Sequence, residues 1–295
     1  MTQLAAVVGI LIISSSAILV RLAGVSPDTS AFFRAAYALP VLGLVAWLHG
    51  RRSGHLAGFS WMAFGAGLLL GFDLAFWHRA IEWIGAGLAT VLGNTQVLFV
   101  GLAAWLLHGE RPDNAVLAAL PVALIGVVLV SGLGGADAYG NAPVAGILFG
   151  VCTGLAYAAF LLLFRAAGKK SSSIPRLLFD ATVGAAIAAA LVGLLVGHID
   201  WHVRFPEHIW LIALALGSQV LGWLLIAYAL PRLPALETSV LLLLQPALTI
   251  LWASFLFDEH LSSVQWLGAG LVLGGIGLAS LVGAVRKVET GEEIV

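Results

Sequence analysis

Charged residues are scarce in this sequence: Asp, Glu, Lys and Arg make up 10% of the 295 residues, whereas 61% are hydrophobic. A soluble globular domain carries roughly 25% charged residues, because polar side chains must cover its surface. The composition therefore excludes an ordinary soluble domain and predicts a protein embedded in a lipid bilayer. The 14 basic and 15 acidic residues give a net charge of −1, so no basic surface for nucleic acid is expected.

Cysteine and the common catalytic motifs are also lacking. Cys152 is the single cysteine, which excludes an internal disulfide and a cysteine-based zinc cluster. The sequence contains no Gly-x-x-x-x-Gly-Lys-Ser/Thr loop, no His-Glu-x-x-His and no Gly-x-Ser-x-Gly. These absences argue against direct ATP drive and against an intramembrane enzyme, and no cofactor is expected.

Long apolar segments follow one another along the whole chain. A transmembrane helix needs roughly 20 apolar residues at 1.5 Å each, and segments of about this length predict an all-α polytopic protein with ten transmembrane helices. Turn-forming sequences such as Ser26-Pro27-Asp28 separate them. The predicted spans are residues 4–20, 28–48, 58–77, 85–107, 115–133, 144–164, 174–196, 207–230, 235–257 and 264–285.

The basic residues indicate the orientation, because short cytoplasmic loops carry an excess of Lys and Arg. With the N-terminus inside, the outer side receives only Arg21, Arg79 and Arg204. We therefore predict that both termini are cytoplasmic and that the protein lies in the inner or plasma membrane. The predicted cytoplasmic residues are Arg51, Arg52, Arg111, Arg165, Lys169, Lys170, Arg176, Arg232, Arg286 and Lys287.

The two halves of the sequence resemble each other. Residues 85–131 align without gaps on residues 234–280, so that Gln96 pairs with Gln245 and Glu110 with Glu259 at the same spacing (245 − 96 = 259 − 110 = 149). This predicts a five-helix repeat at 1–135, a second at 143–286 and a cytoplasmic tail at 287–295. Because five is odd, the second repeat must be inverted, a recurrent design of secondary transporters.

The same residues resemble the EamA-type transporters of the drug/metabolite transporter superfamily. The resemblance implies ten helices, alternating access, and export of amino acids, other metabolites or drugs. It departs at Val97, where the second half has Pro246. The resemblance is carried by Ala86 to Thr95, Gln96, Gly109-Glu110 and Gly126 in the first half, and by Ala235 to Leu244, Gln245-Pro246, Asp258-Glu259 and Gly274-Gly275 in the second.

Several polar side chains lie near the predicted bilayer midplane when depth is counted at about 1.5 Å per residue. Amides and hydroxyls are costly in hydrocarbon without partners, so these groups should face each other, water or a solute. Hydrogen bonding or close packing between helices is the alternative explanation, above all for the serine run that ends at Ser16. The candidates for solute binding are Asn94, Gln96, Gln219, Gln245 and Ser16.

Charges inside the spans are the sharper signal, since they are costly in a membrane. Arg34 and Asp73 each lie about 8 to 9 Å below the predicted outer surface, so the two can pair. The functional interpretation is an outer gate, or an Arg34 that binds a solute carboxylate once Asp73 releases it. The alternative is a permanent structural ion pair. Asp73 and Glu237 are candidates for proton coupling, although Glu237 at a helix start also suits the helix dipole.

Other polar and aromatic residues have simpler explanations. Asp180 occupies the position of the second repeat that corresponds to Arg34 in the first. It is expected to form an ion pair with Arg176, four residues earlier on the same helix. Tyr37 and Tyr157 lie near mid-depth and could line a solute cavity, although core packing also explains them. Trp223 and Trp77 are weaker candidates for the cavity walls. The outer-loop residues His198, Asp200, His202 and His208 are interpreted as a solvated loop, so no metal site is expected.

These observations predict a secondary active or facilitative transporter that exports a small metabolite such as an amino acid. A cationic drug or multidrug exporter is the alternative, favoured if a mid-depth carboxylate is unpaired. An intramembrane enzyme or a receptor is a weaker reading, because the loops are short and catalytic motifs are lacking. The expected partners are a small-molecule solute and the lipid bilayer, and the sequence leaves monomer and homodimer open.

Overall fold

The computed structural model describes residues 2–54, 57–108, 121–122, 125–126, 129, 141–171, 173–196, 199–229, 244–257 and 261–275. These residues form helices and their connections, and none of them forms a strand. The first half contains α1 (Thr2–Ser14), α2 (Ser16–Ala23), α3 (Pro27–Arg52), α4 (Trp61–Ile84), α5 (Ala86–Gly93) and α6 (Gln96–His108). The second contains α7 (Pro143–Lys169), α8 (Ile174–Val196), α9 (Phe205–Leu214), a π-helix (Ala215–Gly222), α10 (Trp223–Ala229), α11 (Leu244–Phe257) and α12 (263–275).

Local signals fix the helix starts around the first long connection. The Ser26 side chain accepts a hydrogen bond from the backbone N–H of Thr29, and Pro27 occupies the first turn of α3. Ser60 caps α4 in the same way through the N–H of Ala63. Both follow the preference for a serine cap before the first helical residues, where backbone donors lack intrahelical partners.

Five helical segments are long and apolar enough to cross a membrane: Leu4–Ala23, Pro27–Arg52, Pro143–Gly168, Ile174–Leu195 and Phe205–Tyr228. They correspond to predicted spans 4–20, 28–48, 144–164, 174–196 and 207–230, which supports a multi-pass membrane protein. The described helices α4, α5 with α6, α11 and α12 coincide wholly or in part with four further predicted spans. Span 115–133 lies mostly outside the described residues, so ten helices and cytoplasmic termini stay predictions.

Three of the segments are irregular at mid-length. The first is interrupted at Ser15, the α5–α6 segment at Asn94 and Thr95, and the segment that begins with α9 continues as a π-helix. Backbone groups freed in hydrocarbon must find partners nearby. Ser15 Oγ donates to the carbonyl of Ile12 at 2.7 Å and Thr95 Oγ1 to that of Leu92 at 2.6 Å. Side chains thus satisfy carbonyls at both interruptions.

Glycines bring α4 and α8 into backbone contact. A Cβ at Gly67 would overlap the backbone carbonyl of Ala181, and one at Gly184 would overlap that of Phe64. A glycine of α7 allows a similarly close approach, since a Cβ at Gly154 would overlap Thr95 at the α5–α6 interruption. These small residues therefore pack helices within one chain. Cys152, also on α7, is exposed.

One buried ion pair and one backbone hydrogen bond hold the two ends of α4. Asp28, at the start of α3, accepts from Arg79 Nη2 at 2.6 and 2.8 Å. At the other end, the backbone N–H of Ser60 donates to Asp180 Oδ2 at 2.8 Å. Arg176 Nε lies 2.9 Å from Asp180 Oδ1, which confirms the predicted local pair. Helix α4 is thereby fixed to α3 at one end and to α8 at the other.

Candidate functional site

A cavity of about 60 Å³ lies among the interrupted helices. Arg34, Asp73 and Tyr157 provide the groups that can carry charge, on α3, α4 and α7. Trp77 and Trp223 contribute aromatic walls. The remaining lining residues are Ile13, Ser16, Leu70, Leu74, Thr90, Gly93, Asn94, Thr153 and Gln245.

Most of the residues predicted for solute binding and gating meet at this cavity. Candidates from distant parts of the chain line it together: Ser16, Arg34, Asp73, Asn94, Tyr157, Trp223 and Gln245. Three other candidates do not line it, namely Gln96, Gln219 and Tyr37. Glu237 lies outside the described residues. The geometry therefore divides the predicted residues into those that line the cavity and could touch a solute, and those that do not line it.

Arg34 is a buried cation whose hydrogen bonding is incomplete. Its side chain is 3% exposed, and Nε donates to Gln219 Oε1 at 3.1 Å. The guanidinium lies 5.8 Å from the centre of the Trp77 ring. Nη1 is buried and has no hydrogen-bond partner among the described residues. A guanidinium matches carboxylate geometry, so Arg34 can accommodate an anion at the cavity.

Asp73 lies in the middle of α4, twelve residues after Trp61 and eleven before Ile84. The predicted span 58–77 ended too early, so the sequence placed this carboxylate too near the outer end. Among the described residues, no basic nitrogen lies within 4.0 Å of Asp73. The expected direct pair with Arg34 is therefore not formed, although both residues line the same cavity.

The hydroxyl and amide groups around the cavity are largely committed to backbone carbonyls. Ser16 Oγ donates to Ile13 at 2.6 Å, and Thr90 Oγ1 to Ala86 at 2.8 Å. Asn94 Nδ2 donates to the carbonyl of Thr90 at 2.9 Å. Their proton donors are thus used by carbonyls of the same helical segment, whereas the alternative explanation expected bonds between helices. Arg34 and Asp73 remain the strongest groups available to a solute.

Aromatic rings line the cavity on the side of the second half. Tyr157 and Trp223 meet edge to face with their ring centres 6.2 Å apart, and Phe160 supports Trp223 at 5.3 Å. Sequence reasoning treated Trp77 only as a weak candidate, although it faces Arg34. A clearer signal was available, because Gly71, Asp73 and Trp77 recur as Gly217, Gln219 and Trp223 at one spacing (217 − 71 = 219 − 73 = 223 − 77 = 146).

Gln96 and Tyr37 are directed elsewhere. Gln96 is 5% exposed at the start of α6, and its Oε1 has no hydrogen-bond partner among the described residues. The Tyr37 hydroxyl lies 2.6 Å from Nδ1 of His208, a residue of α9. Tyr37 also packs against Phe33. Of the two alternatives for Tyr37, the structure shows packing between α3 and α9.

We expect Tyr37→Phe to lower stability while leaving the solute affinity unchanged. The variant loses one hydrogen bond and leaves a buried His208 nitrogen without its partner, which costs about 1 to 3 kcal/mol. A melting curve of the purified protein measures the loss, and the KM for transport measures the affinity. Tyr157→Phe is the matched comparison, because Tyr157 lines the cavity and its variant should change KM. A larger KM effect at Tyr37 than at Tyr157 would contradict this assignment.

The histidine-rich loop between α8 and α9 has local partners. Asp200 accepts hydrogen bonds from both the backbone N–H and Nδ1 of His202 at 2.9 Å. These bonds hold the pKa of the Asp200 carboxyl below its usual range. His208 faces Tyr37 instead. The described residues contain no group of three or more potential ligands arranged for a metal ion.

A second cavity of about 440 Å³ extends from the same helices toward the predicted outer side. Arg21 and Glu82 are its charged lining residues, and His78 lines it as well. One stripe of α4 lines both spaces: Leu70, Asp73, Leu74 and Trp77 face the central cavity, and His78, Ile81 and Glu82 face the outer one. The central cavity contains most of the predicted site residues and is therefore the candidate site.

Charged groups around an internal cavity of an apolar helical bundle are typical of polytopic transport proteins. The sequence profile of the EamA-like transporter family matches residues 1–132 and again residues 144–281. The chain belongs to this family. This family is named for transport and not for an enzyme activity, in agreement with the transporter that the sequence predicts.

Other proteins are similar over parts of the chain. An Archaeoglobus fulgidus protein named an uncharacterized transporter is 29% identical over 174 residues, which are 59% of this chain and 60% of that protein. A Pseudomonas fluorescens protein named a probable 4-amino-4-deoxy-L-arabinose-phosphoundecaprenol flippase subunit is 40% identical over 70 residues, 24% of this chain and 59% of that protein. Both alignments thus cover less than two thirds of the relative.

The fold is shared over nearly the full length with a solved structure titled "Crystal structure of protein". The two superpose with a TM-score of 0.64, and the match covers 97% of this chain and 98% of the other. Their sequence identity is 21%. At that identity the likeness concerns the fold alone.

Proposed function

We propose that the protein is a secondary transporter of the cell membrane that exports a small zwitterionic solute, such as an amino acid, by alternating access. The observation that carries the proposal is the pair of opposite charges, Arg34 and Asp73, which line one cavity without a direct ion pair. A solute carboxylate bound by Arg34 and a solute ammonium group bound by Asp73 would give each of the two charges an ion-pair partner. Buried charges without partners are costly, so a solute that carries both groups is favoured.

The two matches to the family profile support an inverted-repeat architecture for this mechanism. The repeated Gly-x-Asp/Gln-x-x-x-Trp pattern of α4 and the π-helix segment supports it as well. The outer cavity supports a path that continues from the central site along α4. Alternating access would close this path on one side while it opens the other.

The central cavity is small for a solute site. Sites for small molecules usually measure roughly 300 to 1,000 Å³, whereas this cavity measures about 60 Å³. It therefore has room for only a few waters. Helix movement at the interrupted segments would widen it for a solute.

A cationic-drug exporter is the alternative, and one observation favours it: Asp73 is a mid-helix carboxylate without a direct ion pair. Such a carboxylate attracts cations. Arg34, however, lies at the same cavity and compensates this negative charge. A neutral sum with separated charges fits a zwitterion better than a cation.

Counterflow in liposomes that contain the purified protein tests the proposal. Two series separate charge from size: alanine with ethylamine and propionate, and phenylalanine with phenethylamine and phenylpropionate. We expect saturable exchange of an amino acid with at least tenfold preference over both of its analogues. Protein-free liposomes control for diffusion of the amines.

Each result of this assay decides between the alternatives. Preference for the amines would establish the cationic substrate and overturn the zwitterion proposal. Absence of exchange for every compound would also contradict it. Export is tested by release from preloaded cells, which should be faster with the wild-type protein than with the variant Arg34→Gln.

A further inference from the structure

Gln219 contacts Arg34 but does not line the cavity. Its side chain is fully buried at 0% exposure, within the π-helix. Oε1 accepts from Arg34 Nε at 3.1 Å, and Nε2 donates to Thr182 Oγ1 on α8 at 3.4 Å. The hydrogen bond to Thr182 orients the amide so that its oxygen faces the guanidinium. Gln219 is thus a contact of the candidate binding residue and not of a solute.

The chain has a carboxylate and an amide at equivalent positions of its halves. Asp73 and Gln219 are 146 residues apart, the spacing that also relates Trp77 to Trp223. The carboxylate of Asp73 faces the cavity, whereas the neutral amide of Gln219 contacts the cation. The two positions therefore contribute differently to the charge at the site.

We propose that Gln219 determines the charge selectivity of the transporter, because its neutral amide fixes Arg34 without compensating the positive charge. Gln219 is a positioning residue, and the inference rests on the proposed function. A carboxylate at this position would form a charge-assisted hydrogen bond with Nε and neutralise the guanidinium. Arg34 would then no longer attract a solute carboxylate. An apolar residue would leave the charge in place but would release Nε.

Two variants separate charge from position. Gln219→Glu keeps a hydrogen-bond acceptor near Arg34 and adds a negative charge, so the charge sum at the cavity becomes negative. We expect its kcat/KM for the amino acid to fall at least tenfold while that for the corresponding amine rises, which reverses the preference. Gln219→Leu removes the acceptor for Arg34, together with the donor to Thr182, without adding a charge. It should raise the KM for the amino acid several-fold without reversing the preference.

Gln265→Glu is the matched control, because it makes the same change at another buried glutamine, one that accepts a hydrogen bond from the backbone N–H of Ser262. This variant should keep the wild-type preference. If Gln219→Glu and Gln219→Leu reduce amino-acid and amine transport by equal factors, Gln219 has only a structural role and the inference is wrong.

A binding measurement keeps this inference distinct from the proposed function. Phenylpropionate and phenethylamine are added separately to purified wild-type protein and to the variant Gln219→Glu, and the melting temperature is recorded. We expect phenylpropionate to stabilise only the wild type and phenethylamine to stabilise the variant more strongly. If this pattern occurs while no solute is transported, the proposed function fails and the role of Gln219 stands. Equal shifts in both proteins would overturn that role.

Discussion

Arg34→Gln is expected to reduce kcat/KM for a zwitterionic solute by roughly 30-fold or more. Removing one partner of a buried charge pair costs about 2 to 5 kcal/mol, and 2 kcal/mol corresponds to roughly 30-fold. Asp73→Asn should have an effect of similar size, because it removes the group proposed to bind the ammonium. Counterflow of the amino acid at several concentrations measures both variants.

Selectivity distinguishes recognition from damage to the fold. Asp73→Asn should discriminate less against the carboxylic acid, and Arg34→Gln less against the amine, since each variant retains one charge. The double variant Arg34→Gln with Asp73→Asn should recover stability, because no uncompensated charge remains buried, but it should not recover transport. Arg51→Gln at the exposed end of α3 and Asp200→Asn in the exposed loop between α8 and α9 serve as controls outside both cavities. Normal amino-acid transport by either single variant would contradict the site.

The second large effect concerns the contact between α4 and α8. Gly67→Val is expected to prevent folding or to lower the melting temperature strongly, because its side chain would overlap the backbone carbonyl of Ala181. Overpacking typically costs about 1 to 3 kcal/mol, and a backbone atom cannot move aside as a flexible side chain can. The yield of monodisperse protein in detergent and its melting curve measure the effect.

Gly270→Val is the matched control for this prediction. The described residues place no atom within 4 Å of a Cβ at Gly270, so the same substitution should be tolerated. A similar loss in both variants would show that valine itself is harmful in these helices. Full stability of Gly67→Val would show that α4 and α8 do not approach as closely as described.

The depth count along each span predicted that polar residues of several helices meet at one level. Ser16, Asn94 and Gln245 come from three helical segments and line one cavity. Such a count relies on the nearly constant rise per residue in a helix. It set Asp73 near the outer end because the predicted span ended at residue 77, whereas α4 continues to Ile84, past His78 and Arg79. Their buried contacts with Pro27 and Asp28 are tertiary interactions that hydropathy cannot indicate.

The depth count did not predict on which side of its helix a residue lies. Gln96 and Gln219 were expected at the site but do not line the cavity. Gln96 directly follows the interruption at Asn94 and Thr95, and Gln219 lies within the π-helix. In both places the angular spacing of side chains departs from that of a regular helix. Sequence periodicity assumes regular spacing, so it could not assign these faces.

The exposed position of the single cysteine has a practical consequence. Cys152 projects from α7 away from the packed interior, so replacing it with serine should yield a thiol-free transporter at little cost. Pairs of spectroscopic labels can then be attached at chosen positions on α4 and α10 without a background signal. Distances between such labels, recorded with and without solute, would show directly whether the two halves exchange conformations.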